Sequence, residues 1–209
     1  MDERIIIGPA CLDEGAAWLA RRDPVLADAL RVAGALPLRL KPDGFAALLD
    51  AIVSQQVSVA SANAIWGRLE RAGLTEETAV ALAADDDLRA CGLSRPKARY
   101  AGSLARARVD YAALRHLPSD EVIARLIALP GIGRWTAEIY VMFSLGRADV
   151  FASGDLALQE AARHLYNLPE RPDEKVLRAM AQAWSPWRAV AARALWAYYR
   201  HVKSREGTR

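Results

Sequence analysis

Helix openings punctuate this sequence, and almost nothing in it alternates with the period of a strand. Asp23-Pro24 places a side chain able to accept from a first-turn amide just before a proline, whose missing N–H costs nothing there. Asp43 precedes Phe45, Leu48, Leu49, Ile52 and Val53, which share one helical face and make Asp43 the expected cap. Ser58 opens a run through Ala62, Ile65, Trp66 and Leu69 that closes at Gly73. Thr75, Asp85, Ser94 and Ser119 are further candidate caps, and later helices are predicted over about 134–145, 155–167, 173–183 and 187–204. Only Arg4 to Ile7 and Pro37 to Leu40 could be extended. The chain is therefore expected to be all-α, one unit over 1–209 with two helical lobes at approximately 43–110 and 119–168. Both termini are expected to pack as helices, and a cleft between lobes is the default place for a site.

At 209 residues the chain can bury a substantial core. Its net charge of +3 admits a polyanionic partner without demanding one. Cys11 and Cys91 are far apart and form no CxxC, so they read as thiols of a reducing compartment. They also exclude an iron–sulfur cluster, which needs a set of four ligands. The start, Met-Asp-Glu-Arg, is too short for a secretory signal, and no run reaches the roughly 18 apolar residues of a membrane span. A soluble cytoplasmic protein is expected, with no membrane partner. His116 and His164 have no metal-ligand spacing. Trp18, Trp66 and Trp184 are expected in the core, with Trp187 in a supporting place.

The segment Leu129-Pro130-Gly131-Ile132-Gly133-Arg134-Trp135-Thr136-Ala137-Glu138 carries most of the functional information. A helix ends near Ala128, a turn with two glycines follows, and a second helix starts near Gly133. Glycines there permit backbone angles that other residues resist, and they clear side chains from the turn. The amides at the next helix start then form an anion site, and a DNA phosphate fits it without sequence preference. Downstream, Ser153-Gly154-Asp155-Leu156 opens a run through Leu158, Ala161, Ala162 and Leu165. Asp155 is thus expected to cap that helix, which would hold its carboxylate in one orientation, ionised, as suits a group facing a developing cation.

The stretch from Leu129 to Asp155 resembles the helix-hairpin-helix, Gly/Pro-rich loop and aspartate region of DNA glycosylases, most closely the AlkA-type 3-methyladenine DNA glycosylase II group. Ser54-Gln55-Gln56-Val57-Ser58 resembles that family's QxVS junction, Gly92-Leu93-Ser94-Arg95-Pro96-Lys97-Ala98 its GLS..KA segment, and Trp184-Ser185-Pro186-Trp187-Arg188 with Trp196 its C-terminal W.PWR helix. The resemblance runs from about Phe45 to Tyr199. It implies a two-lobed glycosylase fold, here without the N-terminal β domain of larger relatives, because about 40 residues before Phe45 cannot hold one.

What the resemblance implies about activity is base-excision repair: hydrolysis of the N-glycosidic bond of alkylated bases such as 3-methyladenine or 7-methylguanine in damaged duplex DNA, leaving an abasic site. Asp155 would be the catalytic carboxylate. Trp135, Trp196, Ile139 and Leu156 would line the base pocket, Ile139 standing where some relatives carry a second aromatic. Aromatic walls favour cationic bases by about 0.5–2 kcal/mol. Gln55, Gln56, Gly131, Gly133, Arg134, Thr136 and Lys97 would contact DNA, with Gln56 as a polar plug in the duplex. Arg95, Arg99, Arg106 and Arg108 read instead as a solvated basic face. No cofactor is expected beyond a structural sodium or potassium ion on the backbone carbonyls of Ile127, Leu129 and Ile132. Trp135 occupies the place where bifunctional relatives carry a nucleophilic lysine, which implies a monofunctional enzyme. The resemblance also implies that the chain acts as a monomer. A noncatalytic helix-hairpin-helix DNA-binding module, or a glycosylase for deaminated or other lesions, is the alternative reading.

Overall fold

The computed structural model describes residues 3–206; Met1, Asp2 and residues 207–209 lie outside the description. In chain order the helices are α1 (Pro9–Arg22), α2 (Pro24–Ala33), α3 (Phe45–Ser54), α4 (Val59–Arg71), α5 (Glu77–Leu82), α6 (Asp85–Ala90), α7 (Arg95–Arg106), α8 (Tyr111–Leu114), α9 (Ser119–Ile127), α10 (Arg134–Phe143), α11 (Leu156–Leu165), α12 (Glu174–Met180) and α13 (Arg188–Glu206), with a 3-10 turn at Ala181–Trp184. Among the described residues the only β pairing is an isolated bridge between Ile5 and Arg147. The all-α expectation holds, and none of these helices is long and apolar enough to cross a membrane.

The caps explain most of the boundaries. Asp23, Ser58, Ser94, Asp155 and Asp173 each accept from an amide in the first turn of the helix that follows. Four expected caps sit elsewhere. Gly44, not Asp43, precedes α3 without a side-chain bond. Asp43 is instead clamped by Arg115, whose Nε and Nη2 donate to its two oxygens at 2.7 and 2.6 Å. Glu76 stands at the start of α5 in place of Thr75. Asp85 and Ser119 are the first residues of α6 and α9 rather than their caps.

The chain divides into two compact units, Met1–Leu40 with Val141–Arg209, and Lys41–Tyr140. This division differs from the lobes expected near 43–110 and 119–168: α9 and most of α10 belong with α3 to α8, and the boundary falls inside α10. In the first unit, α13 packs against α1, α2 and α11 around Leu12, Leu19, Leu26, Leu158 and Leu195. Asp23 is a junction there, since its Oδ2 accepts from the Tyr166 hydroxyl at 2.5 Å and from the Trp184 indole at 3.1 Å while Oδ1 caps α2. The N-terminal segment straps the loop that leads to Asp155: Ile6 N–H donates to Gly146 O and Ala148 N–H to Arg4 O, at 2.7 and 2.9 Å. Gly146 has φ 69° and a Cβ there would lie 2.8 Å from Ile6 O, so the strap and the glycine require each other.

In the second unit, α7 is the central element, packing on α3, α5 and α6 through Ala98, Ala101, Leu104 and Ala105. Gly44 N–H donates to the Tyr140 hydroxyl at 3.0 Å, and burial pushes that phenol up to about 12. Of the tryptophans expected in the core, Trp184 is fully buried, and so is Trp187. Trp18 and Trp66 are only half-buried. Each spends its polar or π surface at the rim: Arg22 stacks 4.7 Å from the Trp18 ring, and the Trp66 indole donates to Glu70 at 2.9 Å.

Candidate functional site

Asp155 sits in the first unit at the N-terminus of α11. Its Oδ1 accepts from the Ala157 amide at 2.9 Å, the Leu158 amide at 3.0 Å and the Trp196 indole at 3.1 Å. Two of these donors are the orphan amides of a helix start, whose partial positive charge favours a carboxylate. The loop before it is equally fixed. Asp155 N–H donates to Ala152 O at 3.0 Å, and the buried Gln159 Nε2 donates to Ser153 O at 3.0 Å. Asp149 anchors the loop's other end by accepting from Ser185 Oγ and Arg188 Nε at 2.8 and 2.7 Å.

Trp196, expected as a pocket wall, turns its indole N–H to Asp155 in the structure. The indole is itself backed by Phe143, ring centroids 5.8 Å apart and tilted by 33°. The same Phe143 ring meets Arg193, 1% exposed, whose guanidinium lies 4.5 Å from the ring centroid. Arg193 donates to Ala189 O and Leu38 O at 2.9 and 3.1 Å, and burial together with nearby Arg39 lowers it to about 10. Sequence reasoning missed Arg193. The signal was a single arginine inside the alanine-rich face of α13, which period alone does not separate from a solvated position. Leu156, next to the carboxylate, is 61% exposed and so available to a ligand.

The hairpin belongs to the second unit. After α9, Leu129 N–H donates to Leu126 O at 3.0 Å and Ile132 N–H to Leu129 O at 3.1 Å, which closes the turn. Gly131 has φ 88°, and a Cβ there would meet the Tyr100 ring at 2.4 Å, so both backbone angle and packing require glycine. A Cβ added at Gly133 would meet nothing within 4 Å beyond its chain neighbours, which leaves that face open. Gln55, Tyr100 and residues 127–133 line a shallow depression of about 510 Å³. The carbonyls of Ile127, Leu129 and Ile132 belong to residues of that lining. They are neutral oxygen donors of the kind that suits a monovalent cation, and Leu129 O keeps a lone pair beside its turn hydrogen bond. In donor chemistry the three residues suit such an ion.

The expected DNA contacts divide. Gly131 and Gly133 form the turn, Arg134 is exposed beside Glu138 at 3.6 Å, and Gln56 is exposed with φ 54°. Trp135 is 46% exposed and Ile139 half-buried on α10. Thr136 is buried, with 6% of its surface exposed. Gln55 and Lys97 are engaged by the protein itself. Gln55 Nε2 donates to Gly131 O at 2.9 Å, and Lys97 Nζ donates to Val53 O and Gln55 O at 2.8 and 2.6 Å. Lys97 thereby caps the C-terminus of α3, where carbonyls lack helical partners, and burial lowers its amine from the ordinary lysine value.

Residues 49–186 match the family described as HhH-GPD superfamily base excision DNA repair protein. The chain belongs to that superfamily. This HhH-GPD protein is 32% identical over 165 residues to DNA-3-methyladenine glycosylase 1 of Schizosaccharomyces pombe, covering 75% of the chain and 72% of that relative. Other curated relatives extend far beyond the match, the chain spanning 40% and 32% of two of them. Among solved structures, it superposes on a DNA-3-methyladenine glycosidase from Bacillus halodurans with a TM-score of 0.83 at 33% identity, covering 98% and 95% of the two chains. A Schizosaccharomyces pombe 3-methyladenine DNA glycosylase in complex with abasic DNA follows with a TM-score of 0.75 at 29% identity, covering 88% and 95%.

Proposed function

We propose that the chain is a monofunctional DNA glycosylase that hydrolyses the N-glycosidic bond of alkylated bases in duplex DNA. The observation that carries this reading is Asp155: a carboxylate aimed by three donors, in a chain of a base-excision family. Named glycosylase relatives support the choice of alkylated bases.

The target nucleotide must leave the stack, at a cost of about a few kcal/mol that is least for damaged bases. The hairpin's turn amides and Arg134 would hold a phosphate of the lesion strand. A base alkylated on a ring nitrogen carries positive charge, so the C1′–N bond breaks with its electron pair leaving on the base. C1′ then gains oxocarbenium character. The fixed carboxylate of Asp155 stabilises that charge without reorienting, and water adds to C1′ as the same carboxylate takes its proton and passes it to solvent. The exposed face of Trp135 would attract the cationic base. An indole cannot form the Schiff base that a lysine forms, so no strand cleavage follows. A monovalent cation on the carbonyls of Ile127, Leu129 and Ile132 would add positive charge opposite a DNA phosphate.

The test is incubation of the parent and an Asp155→Asn variant with methylated duplex DNA. The parent is expected to release free base and the variant almost none, with DNA binding retained by both. Borohydride treatment is expected to trap no covalent adduct. Equal release by parent and variant would remove Asp155 from the chemistry, and a trapped adduct would make the enzyme a lyase.

A further inference from the structure

The α3–α4 junction and the hairpin are tied together by side chains rather than by mere proximity. Gln55 Nε2 donates to Gly131 O at the apex of the turn. The backbone carbonyl of the same Gln55 accepts from Lys97 Nζ, which also takes Val53 O. At the same apex, the Tyr100 ring lies 2.4 Å from where a Gly131 Cβ would be. Lys97 and Tyr100 both stand on α7, one turn apart, so a single helix backs both ends of the tie.

The next residue after Gln55 is Gln56, exposed and with φ 54°. A glutamine in the left-handed region is strained and persists only where its surroundings over-determine it. Here the over-determination comes from the residue before it, fixed at side chain and carbonyl together. From this arrangement we propose that Gln55, seated by Lys97 and Tyr100, is a positioning residue that locks Gln56 to the hairpin. It sets the offset between the point where the strand is gripped and the point where the duplex is entered. This rests on the reading of the chain as a base-flipping glycosylase.

The proposal separates two quantities that an ordinary DNA contact would move together. Binding of undamaged duplex depends on charge and on turn amides, which Gln55 does not supply. Opening of the duplex depends on two points held in register, and a misplacement of about 1 Å can cost on the order of a hundred-fold in rate.

Gln55→Met keeps length and volume while removing the donor. Two duplexes serve as probes, one undamaged and fluorescein-labelled for anisotropy, the other carrying 2-aminopurine beside an abasic analogue to report unstacking. Excision is read separately as single-turnover base release from methylated duplex. For the variant, the expected result is an unstacking amplitude and release rate reduced about ten-fold or more, with Kd for undamaged duplex moved by less than about three-fold. In a Gln56→Ala background the same substitution is expected to change unstacking by less than about two-fold, because there is no plug left to place. Tyr100→Ala, which removes the buttress without touching Gln55, is expected to reproduce the selective loss. Parental unstacking and release by Gln55→Met would overturn the proposal. So would a rise in Kd that matches the fall in release, or full additivity with Gln56→Ala. Unstacking needs no bond cleavage, so a parent that opens duplexes but frees no base would refute the enzymatic reading alone.

Discussion

Replacing Trp196 by phenylalanine removes one hydrogen bond from Asp155 and little else. The phenyl ring can keep the contact with Phe143, whose centroid lies 5.8 Å from that of the indole, so the local packing survives. The amides of Ala157 and Leu158 still hold the same carboxylate oxygen at 2.9 and 3.0 Å, so α11 stays capped. What is lost is the donor at 3.1 Å that comes from another helix and fixes the carboxylate about its own axis. A hydrogen bond to a charged group is worth about 1.5–3 kcal/mol. At about 1.4 kcal/mol per decade of rate, its full loss from the transition state would slow excision by about ten- to a hundred-fold. The assay is single-turnover release from methylated duplex at saturating protein, with the half-saturating protein concentration measured alongside. The loss is expected in the rate and not in half-saturation. In an Asp155→Asn background, where no charge remains to be aimed, the substitution is expected to change the residual rate by less than about two-fold. A parental rate for Trp196→Phe would mean that the two amides suffice. Equal losses in both backgrounds would mean that Trp196 acts on the substrate directly.

Other parts of the molecule give sharper stability tests. Asp23→Ala removes the cap of α2 and strands the Tyr166 hydroxyl and the Trp184 indole; urea unfolding is expected to show a loss of about 2–4 kcal/mol. At Gly15 a Cβ would lie 2.7 Å from Trp187 Cε3 and 2.8 Å from Val190 Cγ2. Gly15→Ala is therefore expected to cost about 1–3 kcal/mol by overpacking, against the usual helix gain from alanine. The Asp43–Arg115 clamp predicts a pH signature, because the guanidinium holds the Asp43 carboxyl below its ordinary value. Its contribution is fully present above the unfolded carboxylate value of about 3.9 and is lost as pH falls through the lower folded value. The Tm gap between parent and Arg115→Met is expected to be constant from about pH 5 to 8 and to close below about pH 4.

The helices were legible because their start signals are local: a capping side chain and its amide lie within one turn, as at Asp23, Ser58, Ser94 and Asp155. The expected cap at Asp43 fails because a distant partner outbids the local one. Asp43 could have turned to its own helix start, but Arg115, 72 residues away, offers two charge-assisted bonds instead. Division into units was less legible, since nothing in the composition marks a boundary inside a continuous helix such as α10.

The candidate site shows the same asymmetry at the level of single residues. Motif order picked out Asp155, Trp196, Gln55 and Lys97, yet it could not say which way each would turn its donors. Lysine is an all-purpose donor, equally able to meet a phosphate or a helix end, and the run around Lys97 is basic throughout. Arg95, Arg99 and Arg106 remain in solvent. Lys97 alone reaches back to two carbonyls of the α3 terminus, because only it falls on the side of α7 that faces them. A phosphate contact and a helix cap therefore differ by one position on a helix, and the second choice makes the residue matter more. An exposed lysine contributes one replaceable charge to binding, whereas Lys97 sets the carbonyl of Gln55, and Gln55 sets the hairpin.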